Sequence, residues 1–123
     1  MKKILIILIL LIHFPLNASD QYTNFSIKSL EKAKSSGKTI VINSYEPWCW
    51  SCRKQDKVLN VAKNEFSDVV FYTYQQGKNK DIAEALNISV RTTIVVFRGK
   101  EEVDRIIGQT GKQEIYAAIK KGI

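Results

Sequence analysis

The alternation of apolar and polar positions predicts a chain of short helices and strands from about residue 25 onward. Phe25, Ile27, Leu30 and Ala33 recur at roughly helical spacing, and Gly37 follows as a natural helix stop. The first element of the folded domain is therefore predicted to be an amphipathic helix.

Three runs rich in β-branched residues predict strands. The run Thr39–Tyr45 has the nearly continuous apolar character that is typical of a parallel strand covered on both faces. Residues 69–74 and 93–97 predict two more strands. After the turn at residues 98–100, we expect residues 102–107 to pair back as a hairpin.

Helical spacing also predicts a long helix over residues 50–65, a short one over 81–86 and a last amphipathic helix after Gly111. The resulting order is helix, strand, helix, strand, helix, strand, strand, helix. Parallel crossovers followed by a terminal hairpin give an α/β fold with a mixed central sheet of about four strands flanked by helices. Because we find no repeat and no linker, residues 20–123 are predicted to form one domain.

The amino-terminal residues have a different pattern. Lys2 and Lys3 precede an unbroken apolar run, Ile4–Ile12, and small residues follow at Ala18 and Ser19. This order is typical of a secretory signal peptide, cleaved here near Ala18 or Ser19. An uncleaved anchor and a buried helix are the alternatives, but the run is much shorter than the roughly 20 apolar residues of a spanning helix.

Charge adds little to this interpretation. The chain of 123 residues has a net charge of +7, and without residues 1–19 it keeps 17 Lys and Arg against 12 Asp and Glu, a net charge of +5. The basic residues are dispersed at helix-surface spacings, and no basic run is interleaved with aromatic residues. We therefore expect an ordinary solvated surface and no nucleic-acid partner.

The two cysteines, Cys49 and Cys52, carry the candidate chemistry. A disulfide across two intervening residues closes almost no loop and would stabilise the fold little, which argues for reactivity. Cys49 is expected just past a buried strand, at the opening of a helix, where free N–H groups and the helix dipole favour a thiolate. Cys52 lies one turn further on and can resolve a mixed disulfide. Trp48 and Trp50 flank Cys49, so we expect them to cover part of the cysteine pair and to offer a flat apolar surface to a partner chain.

A Cys-x-x-Cys pair can also be half of a metal site. Zinc usually takes four protein ligands, and the only histidine, His13, lies in the predicted signal peptide. One processed chain could not complete a thiolate–imidazole site. Two chains sharing a zinc ion or an iron–sulfur cluster remain an alternative, as does a purely structural disulfide.

The segment Val41–Lys54, which contains Trp48-Cys49-Trp50-Ser51-Cys52, resembles the active-site segment of the thioredoxins. Thr93–Lys100 resembles the later strand and turn of that family, and Ile107-Gly108-Gln109 resembles the glycine before its final helix. The resemblance extends from about Phe25 to Lys121. It implies a thioredoxin-like fold, thiol–disulfide exchange with protein substrates and no organic cofactor, with Cys49 as the nucleophile and Cys52 as the resolving thiol.

Several positions depart from the family pattern. Thioredoxins proper have Gly-Pro between the cysteines, where this chain has Trp50-Ser51. The buried acid of the family corresponds to Asn43, an amide that cannot exchange a proton with Cys52. Glu46 is the nearest carboxylate in sequence, and we expect it either to take that role or to be a solvated surface residue.

The largest departure is Thr92, which stands where the family has a cis-proline facing the cysteines. A cis bond that does not involve proline costs about 2.5–4 kcal/mol, so we expect Arg91–Thr92 to be trans or strained. Our hypothesis is that Thr92 still lies against the cysteine pair, with a hydroxyl able to bond a sulfur or a bound peptide. Arg91 either adds positive charge near Cys49 or lies on the surface.

The domain is small and has no helical insertion or dimerisation segment, which resembles exported reductants more than the larger oxidants and isomerases. We therefore expect a monomeric periplasmic reductant supplied with electrons by a membrane electron-transfer partner. Two alternatives are a periplasmic disulfide oxidant and a non-catalytic binding module that captures a partner or a metal through its cysteines.

Overall fold

The computed structural model describes residues 25–123, so the signal peptide predicted for residues 1–19 lies outside the described residues. Eight elements follow in the predicted order. They are α1 (Ile27–Ser35), β1 (Thr39–Tyr45), α2 (Trp50–Glu65), β2 (Val70–Gln75), α3 (Lys80–Ala85), β3 (Thr93–Arg98), β4 (Glu101–Ile107) and α4 (Lys112–Lys120). Along residues 25–123, no helix has both the length and the apolar character needed to cross a membrane.

The four strands form one mixed sheet, as the sequence predicted, and their order in the sheet is β2-β1-β3-β4. β1 and β2 are parallel, which confirms one of the expected crossovers. β3 runs antiparallel to β1, so the expectation of a second parallel crossover was wrong. The connecting helix α3 has six residues and is about 9 Å long, whereas a six-residue strand spans about 20 Å. A helix this short cannot carry the chain back along the whole length of the sheet. The next strand, β3, therefore begins at the edge where β2 ended and runs in the opposite direction.

Both faces of the central strands are buried, and alternate residues of β1 face opposite layers. Ile40 and Ile42 pack in one core cluster with Leu30 of α1. Val41 packs in the other cluster with Leu59 of α2. The sheet thus lies between two helical layers, with α2 covering one face and α1 covering the other.

The antiparallel direction of β3 determines what lies at the carboxyl edge of β1. Asn43, near the end of β1, pairs with Ile94, near the start of β3. The backbone N–H of Thr92 donates to the carbonyl of Ser44 at 3.1 Å. The loop that precedes β3 is therefore held beside the loop that leads from β1 into α2.

Candidate functional site

Cys49 and Cys52 are joined by a disulfide at the start of α2, with their Cα atoms 5.2 Å apart. Cys49 is the N-cap of this helix, and its sulfur accepts a hydrogen bond from the backbone N–H of Cys52 at 3.2 Å. Only 4% of Cys49 and none of Cys52 is exposed. In the reduced protein, the same N–H group and the helix dipole would stabilise negative charge on the Cys49 sulfur.

Thr92 lies directly against this disulfide. Its Oγ1 is 3.4 Å from the Sγ of Cys49 and 3.2 Å from the Sγ of Cys52. The hydroxyl of Ser51 completes the group, 2.9 Å from Thr92 Oγ1 and 3.3 Å from Cys49 Sγ. We call Cys49, Ser51, Cys52 and Thr92 the sulfur–hydroxyl cluster.

The backbone of Thr92 is strained and firmly held. Its peptide bond to Arg91 is trans, and its φ is +62°, a left-handed value that is unusual for a β-branched residue. Such a conformation costs on the order of 1–3 kcal/mol and persists only where the surroundings enforce it. Besides the bond from its N–H to Ser44, its carbonyl accepts from the N–H of Gly108 at 2.8 Å and from Gln55 Nε2 at 3.1 Å.

Gln55 is a residue of the site that sequence reasoning missed. It is fully buried on α2, where its Nε2 also donates to the carbonyl of Gln109 at 2.8 Å. One amide group thus ties α2 to the loop before β3 and to the segment before α4. Its neighbours Arg53, Lys54 and Asp56 suggest a surface residue, but its position three residues after Cys52 places it on the same buried helix face.

The side chains of Asn43 and Glu46 bond to β2 and to the turn that follows it. Asn43 is fully buried, and its Oδ1 accepts from the hydroxyl of Thr73 at 2.5 Å, while its Nδ2 has no hydrogen-bond partner among residues 25–123. Glu46 is 8% exposed, and its two carboxylate oxygens accept from the N–H of Gly77 at 2.6 Å and from Gln75 Nε2 at 3.0 Å. The alternative of a solvated Glu46 is therefore wrong, because its carboxylate holds the turn that follows β2.

Two tryptophans form an exposed rim in front of the disulfide. Trp48 is 65% exposed and Trp50 is 68% exposed. The guanidinium of Arg91 stacks 4.3 Å from the centre of the Trp48 ring, and Lys54 Nζ lies 3.9 Å from the centre of the Trp50 ring. Arg91 is thus a surface residue, and it also brings positive charge next to Trp48, the residue that precedes Cys49.

Within residues 25–123, no three His, Cys, Asp or Glu side chains come together in a group that could hold a metal ion. The two sulfurs are the soft ligands that this part of one chain offers, whereas zinc sites usually have four protein ligands. A metal shared between two chains stays an untested alternative.

Comparison with known proteins gives a consistent result. A family model described as Thioredoxin matches residues 20–121. The chain is 36% identical over 90 residues to a thioredoxin of Mycoplasma genitalium, an alignment that covers 73% of this chain and 88% of that protein. It is 31% identical over 93 residues to thioredoxin H4 of Arabidopsis thaliana, covering 75% of this chain and 77% of that protein.

Solved structures show the same fold. Trxlp from Edwardsiella tarda superposes with a TM-score of 0.73 at 22% identity, covering 77% of this chain and 94% of that one. Oxidised mitochondrial thioredoxin 3 from Saccharomyces cerevisiae superposes with a TM-score of 0.70 at 21% identity, covering 81% of this chain and 97% of that one. The sulfur–hydroxyl cluster described above is thus carried on a widely shared fold.

Replacing Gln55 with Met tests its part in holding the site. Met keeps a similar volume but cannot donate, so the carbonyls of Thr92 and Gln109 both lose the bond from this side chain, and the bond to Thr92 is buried. We expect a loss of about 1–3 kcal/mol in the free energy of unfolding, measured by urea denaturation of the oxidised protein. The control is Gln113→Met on the exposed face of α4, which should change stability by less than about 0.5 kcal/mol. Equal stability of the two variants would contradict the assignment.

Proposed function

Because this chain belongs to the thioredoxin family, we propose that it works as an exported, monomeric protein-disulfide reductase. The family membership and the Cys49–Cys52 pair make the chain a thiol–disulfide oxidoreductase that acts on protein thiols and disulfides. The observation that carries the exchange chemistry in this proposal is the position of Cys49. Its sulfur caps α2 and accepts a backbone N–H bond at the helix start.

The reaction proceeds in two exchanges. The thiolate of Cys49 attacks a client disulfide, one client sulfur leaves as a thiolate, and a mixed disulfide forms between Cys49 and the client. Cys52, one helical turn further on, then attacks the Cys49 sulfur and expels the second client sulfur. The products are a client dithiol and the Cys49–Cys52 disulfide, so two electrons have moved from the protein to the client.

The aromatic rim suits a protein client. Trp48 and Trp50 present flat apolar faces beside the nearly buried Cys49 sulfur, and their stacked cations keep both rings in place. An extended client segment that lies across these rings brings its disulfide to the one sulfur that can be reached from solvent. Arg91 and Lys54 also favour clients with acidic residues next to that disulfide.

Export and direction rest on the sequence. The basic residues, apolar run and small residues at the amino terminus favour cleavage near Ala18 or Ser19 and delivery to the periplasm. Between residues 25 and 123, the fold has no inserted helical domain of the kind expected of a larger oxidant or isomerase. A reductant outside the cytoplasm needs electrons from across the membrane, so a membrane electron-transfer protein is the proposed donor. No organic cofactor takes part in either exchange.

Insulin reduction tests the chemistry of the two cysteines. With dithiothreitol as the electron source, we expect the purified protein to accelerate insulin precipitation and Cys49→Ala to be no faster than dithiothreitol alone. Cys52→Ala that is reduced first and mixed with insulin after the dithiothreitol is removed should accumulate a mixed disulfide, visible by intact mass. Cys49-independent reduction would contradict the assignment of the nucleophile.

Thiol trapping in cells tests export and direction together. Cells that express the full chain are quenched in acid, fractionated and treated with an alkylating agent that adds mass to each free thiol. We expect the chain in the periplasmic fraction, shortened at its amino terminus and mostly reduced, and oxidised when the membrane electron supply is removed. A full-length cytoplasmic chain would contradict export, and a mostly oxidised periplasmic chain would favour the oxidant.

A further inference from the structure

In the resolving step, the thiol of Cys52 must lose its proton although its sulfur is buried. The thiolate of Cys52 is the attacking species, but none of Cys52 is exposed, and burial disfavours a charged sulfur. The proton must therefore be removed as the attack proceeds. A group in contact with Cys52 Sγ has to accept it.

The contacts of this sulfur leave one candidate. In the described part of the chain, Cys52 Sγ has polar contacts with Thr92 Oγ1 at 3.2 Å and with the carbonyl of Ser44 at 4.0 Å. A carbonyl can accept a hydrogen bond but has no proton to pass on. The amide of Asn43 cannot take up the proton, and both carboxylate oxygens of Glu46 accept from other partners, the N–H of Gly77 and Gln75 Nε2.

The Thr92 hydroxyl is connected in turn to a group that reaches solvent. Ser51 Oγ is 2.9 Å from Thr92 Oγ1, and Ser51 is partly exposed whereas Thr92 is 5% exposed. A hydroxyl can accept one hydrogen bond while it donates another. The three atoms Cys52 Sγ, Thr92 Oγ1 and Ser51 Oγ therefore form an unbroken path from the buried sulfur to the surface.

We propose that Thr92 and Ser51 are a proton relay for the resolving thiol, an inference that rests on the thiol–disulfide exchange proposed above. As Cys52 Sγ attacks Cys49 Sγ, its proton passes to Thr92 Oγ1, the Thr92 proton passes to Ser51 Oγ, and the Ser51 proton passes to water. The electron pair left on Cys52 forms the new S–S bond. The client sulfur leaves with the pair of the broken bond and takes a proton from water. Each hydroxyl gains and loses one proton, so neither is left charged.

The strain at Thr92 supports this role. Ser44, Gln55 and Gly108 hold the Thr92 backbone at φ +62°, a conformation that is costly for a β-branched residue. The result is a hydroxyl fixed against both sulfurs before any client binds. Gln55 acts on the relay through Thr92 and is a positioning residue.

The test separates the two exchanges by stopped-flow mixing of reduced protein with dithiobis(nitrobenzoate), which releases one coloured thiolate at each step. Near neutral pH, we expect Thr92→Val to slow the second release by about tenfold or more and the first by less than about threefold. Ser51→Ala, which removes a partly exposed side chain, should also slow the second release selectively. Thr92→Ser should restore it, and the solvent isotope effect on this phase should be larger in the wild-type protein than in Thr92→Val.

Thr93→Val is the matched control, because the Thr93 hydroxyl donates to the carbonyl of Val90 at 2.8 Å and is not among the hydrogen-bond partners of either sulfur in the described residues. It should keep both phases near the wild-type rates. Second-phase rates of Thr92→Val and Ser51→Ala within about twofold of the wild-type rate would overturn the relay, as would equal slowing by Thr93→Val. Even if the relay is overturned, loss of the first thiolate release in Cys49→Ala would still support Cys49 as the nucleophile of thiol–disulfide exchange. Release by Cys49→Ala at the wild-type rates would instead overturn the proposed function.

Discussion

The left-handed backbone of Thr92 is the constraint on which the site depends. Three separate parts of the fold hold it: the end of β1 through Ser44, helix α2 through Gln55, and the residue after β4 through Gly108. These bonds satisfy both backbone polar groups of Thr92, and the hydroxyl of the backbone thus fixed lies against both sulfurs of the disulfide. Where the thioredoxins have the rigid ring of a cis-proline, this chain has the hydroxyl of Thr92, and the bonds to the Thr92 backbone hold it in place.

That constraint follows from the topology of the sheet. A short α3 cannot carry the chain back along the sheet, so β3 begins at the edge where β1 and β2 end. The residue before β3 therefore meets the loop that leads from β1 into α2, which carries Cys49. The helix start supplies the N–H group that stabilises a thiolate, and the opposing loop supplies the hydroxyl. Neither loop alone would make the sulfur–hydroxyl cluster.

Local patterns in the sequence were sufficient for the element order, the mixed sheet and the cysteine pair, because each depends on neighbouring residues. Contacts between distant segments were harder to predict. Helical spacing predicted a short helix over residues 81–86, but the antiparallel direction of β3 follows only when the length of that helix is compared with the length of the strands. Gln55 lies among charged residues, and only its spacing from Cys52 indicates burial. Glu46 is buried because Gly77 and Gln75, about thirty residues later, offer donors to its carboxylate.

The reduction potential of the Cys49–Cys52 pair, measured by equilibration with glutathione, tests most directly whether this site donates electrons to clients. Helix position and hydroxyl contacts set the stability of the thiolate, and the balance between thiolate and disulfide sets the potential. If the pair donates electrons to clients, its potential should lie near that of thioredoxin, about −270 mV. A value near that of the strong periplasmic oxidant, about −120 mV, would contradict this role.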